Sequence, residues 1–304
     1  MNKFEGLIAA PFTPMYPNGE VNFDMVQPYY EFLERNGIVG AFINGSTGEG
    51  VSLSQKEKMK HTERWAACYK ERKTVRIINL VGGTSYTECI ENALFSAEMG
   101  VSAIALLAPF YFKPGCATQL AEFVARVGEA VPDMPVYFYH IPVLTGVNIP
   151  MIDFLKAVAL MLPNFVGIKY THEDFMDFLS CMNYENGKYE MLWGRDETML
   201  SALVLGAKGA VGSTFNYAAP IYYKMIEAYN NGNIVEARKL QQQSIDMITL
   251  LGKYGGIATG KAFMKFVGID CGQFRLPVKN MSDDQYSLFV QEVQSLNMNH
   301  LFSK

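Results

Sequence analysis

Short apolar runs recur along this chain, and between them lie longer stretches in which apolar residues return every three or four positions. The first pattern belongs to strands buried on both faces, the second to helices with one covered face. Residues 7–10 read as a first strand, closed by Pro11-Phe12-Thr13-Pro14. A helix over 22–36 follows, stopped by Gly37, and 38–43 forms a second strand running into Asn44-Gly45-Ser46-Thr47-Gly48-Glu49-Gly50. Ser54 with Glu57 three residues on is a capping-box pattern that opens a helix to about Arg72. Strands at 76–81, 102–107, 136–139, 165–171, 189–193 and 209–212 then alternate with helices at 85–99, 117–130, 151–161, 175–182 and 198–205. Further helices are predicted at 220–230, 234–251, 259–267 and 282–296.

Strands alternating with helices predict parallel βα units, and eight of them are what a closed (β/α)₈ TIM barrel requires. The reading is a barrel over residues 1–230 and a C-terminal helical extension over 231–304, packed as one structural unit. The alternative is an open doubly wound sheet. A nucleotide-binding sheet of that kind carries a glycine fingerprint, which this chain lacks.

Composition narrows the picture. The chain has 304 residues, 49% hydrophobic and 18% charged, which suits one large barrel and no disordered segment. A net charge of -4 with scattered basic residues argues against nucleic acid or an anionic membrane as partner. The longest apolar run, 101–112, is too short to span a bilayer. Residues 1–6 lead straight into a strand, so no signal peptide is expected. Cys68, Cys89, Cys116, Cys181 and Cys271 are odd in number and widely spaced, which predicts reduced thiols in a cytoplasmic protein. His61, His140, His172 and His300 show no ligand spacing, so no metal is expected.

In a barrel the chemistry gathers at the C-terminal ends of the strands. Those ends carry Ser46 and Thr47, Tyr111, Tyr139, Lys169, Asp196 with Glu197, and Ser213, a set far more polar than the strands beneath. Lys169 ends an apolar run. It reads either as a cationic tip reaching water or as a part-desolvated amine made nucleophilic by burial. The Gly45-Ser46-Thr47-Gly48 turn is either a plain tight loop or a nest of N–H groups for a small carboxylate; it is not a P-loop. Tyr139 is a core tyrosine or a proton carrier. Asp196 and Glu197 suit a helix N-terminus, or accept hydroxyls of a polyol. Among the other lysines, Lys208 precedes a strand, Lys113 sits in a loop, and Lys261 and Lys265 fall in tail helices. Lys169 alone is expected to be rigidly held and correctly facing.

The motifs as a set resemble those of a known family. These are GSTGE at 45–49, PFY at 109–111, YHIPxLTG at 139–146, GIKYT at 167–171, WGRDE at 193–197 and GAVGSTFNY at 209–217. In content and order they are similar to the pyruvate-dependent class I aldolases, the family of N-acetylneuraminate lyases and dihydrodipicolinate synthases. The synthases typically carry an arginine shortly after the strand-five tyrosine, where Leu144 stands here, and the GxDE arrangement at 194–197 resembles the lyases.

The resemblance implies a Schiff base between Lys169 and the keto carbon of an open-chain sialic acid. Tyr139 would transfer the proton, helped by Ser46 and by Tyr111 from an adjacent subunit. Ser46 and Thr47 would hold the carboxylate, while Thr171, Gly194, Asp196, Glu197 and Ser213 line the rest of the sugar. It also implies a homotetramer, no metal and no organic cofactor. The alternatives are an aldolase for another 2-keto sugar acid or an aldehyde, and a non-catalytic sugar-binding protein that keeps the barrel. The tail matches only loosely and is assigned no site residue.

Overall fold

A computed structural model describes residues 3–304. Among them eight parallel strands close into a barrel in chain order: β1 (Gly6–Ala9), β2 (Gly40–Ile43), β3 (Arg76–Leu80), β4 (Ala103–Leu107), β5 (Val136–His140), β6 (Phe165–Tyr170), β7 (Glu190–Trp193) and β8 (Gly209–Gly212). The ring is completed by β1 pairing with β8, Ile8 opposite Val211. Helices α1 (Val26–Arg35), α2 (Gln55–Arg72), α3 (Tyr86–Met99) and α4 (Ala117–Gly128) fill the first half of the outer layer. A short α5 (Pro142–Thr145), α6 (Met151–Met161), α7 (Phe175–Asn183), α8 (Met199–Val204) and α9 (Phe215–Asn230) complete the succession through the last barrel helix. The extension is α10 (Ile234–Lys253), α11 (Thr259–Phe266) and α12 (Asp283–Ser295). No helix is long and apolar enough to cross a membrane among the described residues.

The apolar residues divide into two bodies. One fills the barrel interior and contains Phe4, Phe42, Tyr137, Tyr139, Leu192 and Val211. The other lies between strands and helices and contains Ile104, Phe138, Ile168, Tyr170 and Trp193. Strand residues therefore alternate between the two, as a strand covered on both sides must. The floor is closed by Phe4 and by Tyr137, whose hydroxyl donates to the buried carboxylate of Glu190. Glu190 also accepts the backbone N–H of Phe4.

Two details differ from the periodicity. The helix predicted at 220–230 begins earlier, at Phe215, with Pro220 inside it. Ala218 leaves helical geometry (φ −137°), so the chain kinks and Pro220 falls in the first turn of the second segment, where its missing N–H costs little. Ser303 Oγ accepts from the freed Ala219 N–H and the Ser303 N–H donates to Tyr217, so the chain's end seals the kink. The short α5 also lies where the sequence reads as loop.

The capping box at α2 is formed: Ser54 Oγ accepts from Glu57 N and the Glu57 carboxylate accepts from Ser54 N. Ser54→Ala should cost about 1 kcal/mol and lower Tm by about 2 °C without changing the far-ultraviolet circular dichroism. Differential scanning calorimetry checks it.

Candidate active site

The site begins with a slip in strand pairing. Val136 faces Phe165, but Tyr137 faces Gly167, so β6 carries one residue more than β5 at this point. An extra residue reverses the faces of everything after it. Phe165 and Ile168 therefore both pack outward, and Lys169, opposite Tyr139, turns into the barrel. Without the slip Lys169 would lie on the same side as Phe165, against the helices. Gly167 has its own reason: a Cβ there would come within 2.1 Å of Glu190 O.

Lys169 is only 4% exposed. Its Nζ lies 3.9 Å from the centroid of the Tyr139 ring and 4.1 Å from that of Phe42. Almost none of the side chain is in contact with water, and what is exposed faces the cavity rather than the outer surface, so the snorkelling reading fails. Burial pulls the amine from the ordinary lysine range down to about 7, against the opposing pull of the Asp196 carboxylate. Near neutral pH a large fraction of this amine is uncharged, the state a nucleophile needs. Tyr139 is also buried, which holds its phenol above the usual range despite the Ser46 hydroxyl 3.5 Å away. Beside it the buried Thr171 hydroxyl has no hydrogen bond of acceptable geometry.

The turn after β2 is built by two left-handed residues, Asn44 and Glu49, both at φ +57°. It closes through Glu49 N–H to Ser46 O (3.1 Å) and Gly50 N–H to Gly45 O (3.1 Å). Position 50 admits only glycine, because a Cβ would stand 1.8 Å from Asn44 O. Asn44 is anchored from below. Its amide donates to Asn79 Oδ1 (2.8 Å), and its carbonyl oxygen faces His61 Nδ1 at 2.8 Å. The Trp65 indole N–H can only donate and points at His61 Nε2 (2.9 Å), so His61 carries its proton on Nδ1 and gives it to Asn44. Burial pushes His61 down to about 3, which keeps it neutral. His140 is likewise pushed to about 3 by burial and packs outward beside Tyr170 and His172.

The adjacent carboxylates of Asp196 and Glu197 occupy different surroundings. Asp196 is buried, and its Oδ2 accepts from both the N–H (2.9 Å) and the hydroxyl (2.6 Å) of Thr214. Burial still raises it to about 6. Its place exists because β8 ends in glycine: a Cβ on Gly212 would sit 2.1 Å from Asp196 Oδ1. Gly194 is matched in the same way to Thr171, whose Oγ1 would lie 2.0 Å from an added Cβ. Glu197 is half-exposed, 3.4 Å from the Arg195 guanidinium, which also pairs with Glu173.

One cavity of about 290 Å³ collects most of the residues singled out from the sequence. Ser46, Thr47 and Tyr139 lie on its wall with Lys169 and Thr171; Gly194, Asp196, Glu197 and Ser213 line the remainder. Tyr111 does not. It is 77% exposed in the loop after β4, edge-on to the still more exposed Phe112.

One expectation needs correction. The tail does reach the site: Ile248 and Leu251 of α10 and Ile257 line the cavity. Lys261 is held as rigidly as Lys169, 2% exposed and paired with Glu49, but does not line this cavity. Thr214, Gly212 and Phe42 escaped notice in the sequence. Thr214 directly follows Ser213, so the hydroxyl pair was visible, but its partner lies on another strand end.

Comparison with known proteins places the chain. The model of the dihydrodipicolinate synthetase family matches residues 3–296. N-acetylneuraminate lyase of Rattus norvegicus is 38% identical over 97% of this chain and 93% of its own. The Homo sapiens lyase is 40% identical over 92% of this chain and 88% of its own. The solved structure of Proteus mirabilis N-acetylneuraminate lyase superposes with a TM-score of 0.94 at 34% identity, covering 97% of this chain and 99% of that one.

The electrostatics make a direct prediction. A nitrogen-15 NMR titration of the Lys169 ammonium should give a midpoint near 7, against about 10.4 for a free lysine. Asp196→Asn should move it lower still, because the lost carboxylate favoured the charged amine. A midpoint near the free value, or an upward move in the variant, contradicts the assignment.

Proposed function

This chain belongs to the dihydrodipicolinate synthetase family, and from that premise we propose that it is a class I aldolase cleaving N-acetylneuraminate to N-acetylmannosamine and pyruvate. One observation carries the reading: a buried amine that gives up its proton near neutral pH shares a single cavity with a phenol and a hydroxyl-bearing turn.

The uncharged amine of Lys169 adds to the ketone carbon of the open-chain sugar acid, and loss of water with uptake of one proton from solvent leaves a protonated imine. That imine withdraws electrons from the bond between C3 and C4, which breaks as O4 gives up its proton. Burial keeps the Tyr139 phenol neutral, so it takes the O4 proton while passing its own through the Ser46 hydroxyl to the substrate carboxylate held by the same turn, a relay rather than a standing base. N-acetylmannosamine departs. The enamine is then protonated and hydrolysed, releasing pyruvate. The Ser46-Thr47 turn holds the carboxylate of the pyruvate end. The unpaired Thr171 hydroxyl, Gly194, Asp196, Glu197 and Ser213 receive the polyol, with Asp196 also balancing the charge on the lysine nitrogen. Leu144 lines the cavity where a second-carboxylate arginine would be needed, which disfavours a dicarboxylic product.

The reading extends to the assembly. Exposed Tyr111 and Phe112 suit insertion at a neighbour's cavity in a homotetramer. The five free cysteines accord with cytoplasmic residence.

Borohydride added with pyruvate should fix a reduced adduct on Lys169, seen by peptide mass analysis, and Lys169→Ala should lose both adduct and turnover. Tyr139→Phe should lower kcat by about 10²–10⁴-fold while still forming the adduct. An unmodified Lys169 would mean a binding protein. Turnover of 2-keto-3-deoxy sugar acids with none of N-acetylneuraminate would move the substrate to that class.

A further inference from the structure

A buried ion pair stands behind the Ser46-Thr47 turn and takes no part in the reaction above. Glu49, 5% exposed, closes the turn in left-handed geometry, a conformation that costs an ordinary residue energy and persists only when its surroundings impose it. The imposing groups come from the far end of the chain. Glu49 Oε1 accepts from Lys261 Nζ of α11 (2.8 Å), and Oε2 accepts from the Arg275 backbone N–H (2.8 Å). Lys261 spends a second proton on Gln273 O (2.9 Å) and stands over the Phe274 ring. The Arg275 guanidinium then reaches around the turn, donating to Gly19 O (2.9 Å), Ser52 O (3.1 Å) and Glu57 Oε2 (2.9 Å). Thr13 Oγ1 holds Gly48 O from the other side (2.6 Å).

Burying a lysine and a glutamate is expensive, and a well-packed apolar pair would serve stability as well or better. An apolar pair could not fix the direction of residue 49. Because Glu49 N–H is bonded to Ser46 O, that direction is transmitted to the residues facing the cavity. We propose that Glu49 and Lys261 are positioning residues through which the C-terminal extension sets the placement of Ser46 and Thr47, and hence the affinity for the carboxylate end of the substrate. The identity of that carboxylate rests on the function proposed above; the geometry does not.

The test is the paired variant Glu49→Gln/Lys261→Met, which strands no charge. Its KM for the sugar acid and its Kd for pyruvate, from concentration-dependent borohydride trapping, should each rise about tenfold or more. At saturating pyruvate the trapped adduct should still form in full, because Lys169 is untouched, whereas kcat should fall with the displaced Ser46 that relays the Tyr139 proton. Amides 45–50 of the ligand-free variant should exchange hydrogen faster than in the wild type. Unchanged Kd and exchange in a folded paired variant would overturn the proposal and leave the pair a matter of stability. Should that variant fail to fold, Lys261→Arg keeps the charge but shifts the donors, and the same rise or constancy of Kd and exchange decides. A wild-type protein that traps no pyruvate defeats the proposed reaction, and exchange at 45–50 alone then judges the positioning.

Discussion

The amine of Lys169 has exchanged water for two aromatic faces, and most of the site follows from that exchange. An ammonium group in such surroundings is penalised, so the group releases its proton close to neutral pH. The Phe42 and Tyr139 rings meet edge-on, 5.4 Å between centroids, and the nitrogen lies over both. A cation is drawn to such faces, and Asp196 adds a further attraction. Desolvation outweighs these, and the balance leaves an amine that, in the proposed reaction, can attack as a base and still carry charge in the imine.

That balance requires a carboxylate near the amine without a full ion pair. Asp196 meets the condition because its oxygen is already committed to Thr214, whose hydroxyl lies 2.6 Å from Tyr222 Oη, with Ser244 Oγ 2.8 Å beyond. A carboxylate so engaged moderates the lysine electrostatically and cannot swing onto it. The absence of a side chain at Gly212 makes this possible. Two glycines, 194 and 212, thus act as vacancies cut to the shape of Thr171 and Asp196.

The extension belongs to this arrangement. It supplies apolar wall through Ile248, Leu251 and Ile257, a backbone cap for the α9 kink through Ser303, and the buried cation against Glu49. A barrel truncated after α9 would lose one wall of its cavity and the support of its turn.

Local pattern was enough to reveal the βα alternation, the capping box at Ser54 and the polar residues crowded at strand ends, because periodicity and capping depend on near neighbours. The motifs 45–49, 139–146, 167–171 and 193–197 also carried the family and the chemistry. Which way Lys169 faces was not legible there: period-two alternation from Phe165 turns it outward, and only the offset pairing of Val136 and Tyr137 against β6 turns it in. Nor could the unlike surroundings of Asp196 and Glu197 be read from adjacent letters, since Asp196 is fixed by Thr214 from another strand end while Glu197 stays half-exposed. Lys261 looked like any tail lysine until folding carried it across 212 positions to Glu49. The chain's own order dictates elements and residue types; register and long-range burial, which exist only once the ring has closed, dictate which of those residues become reactive.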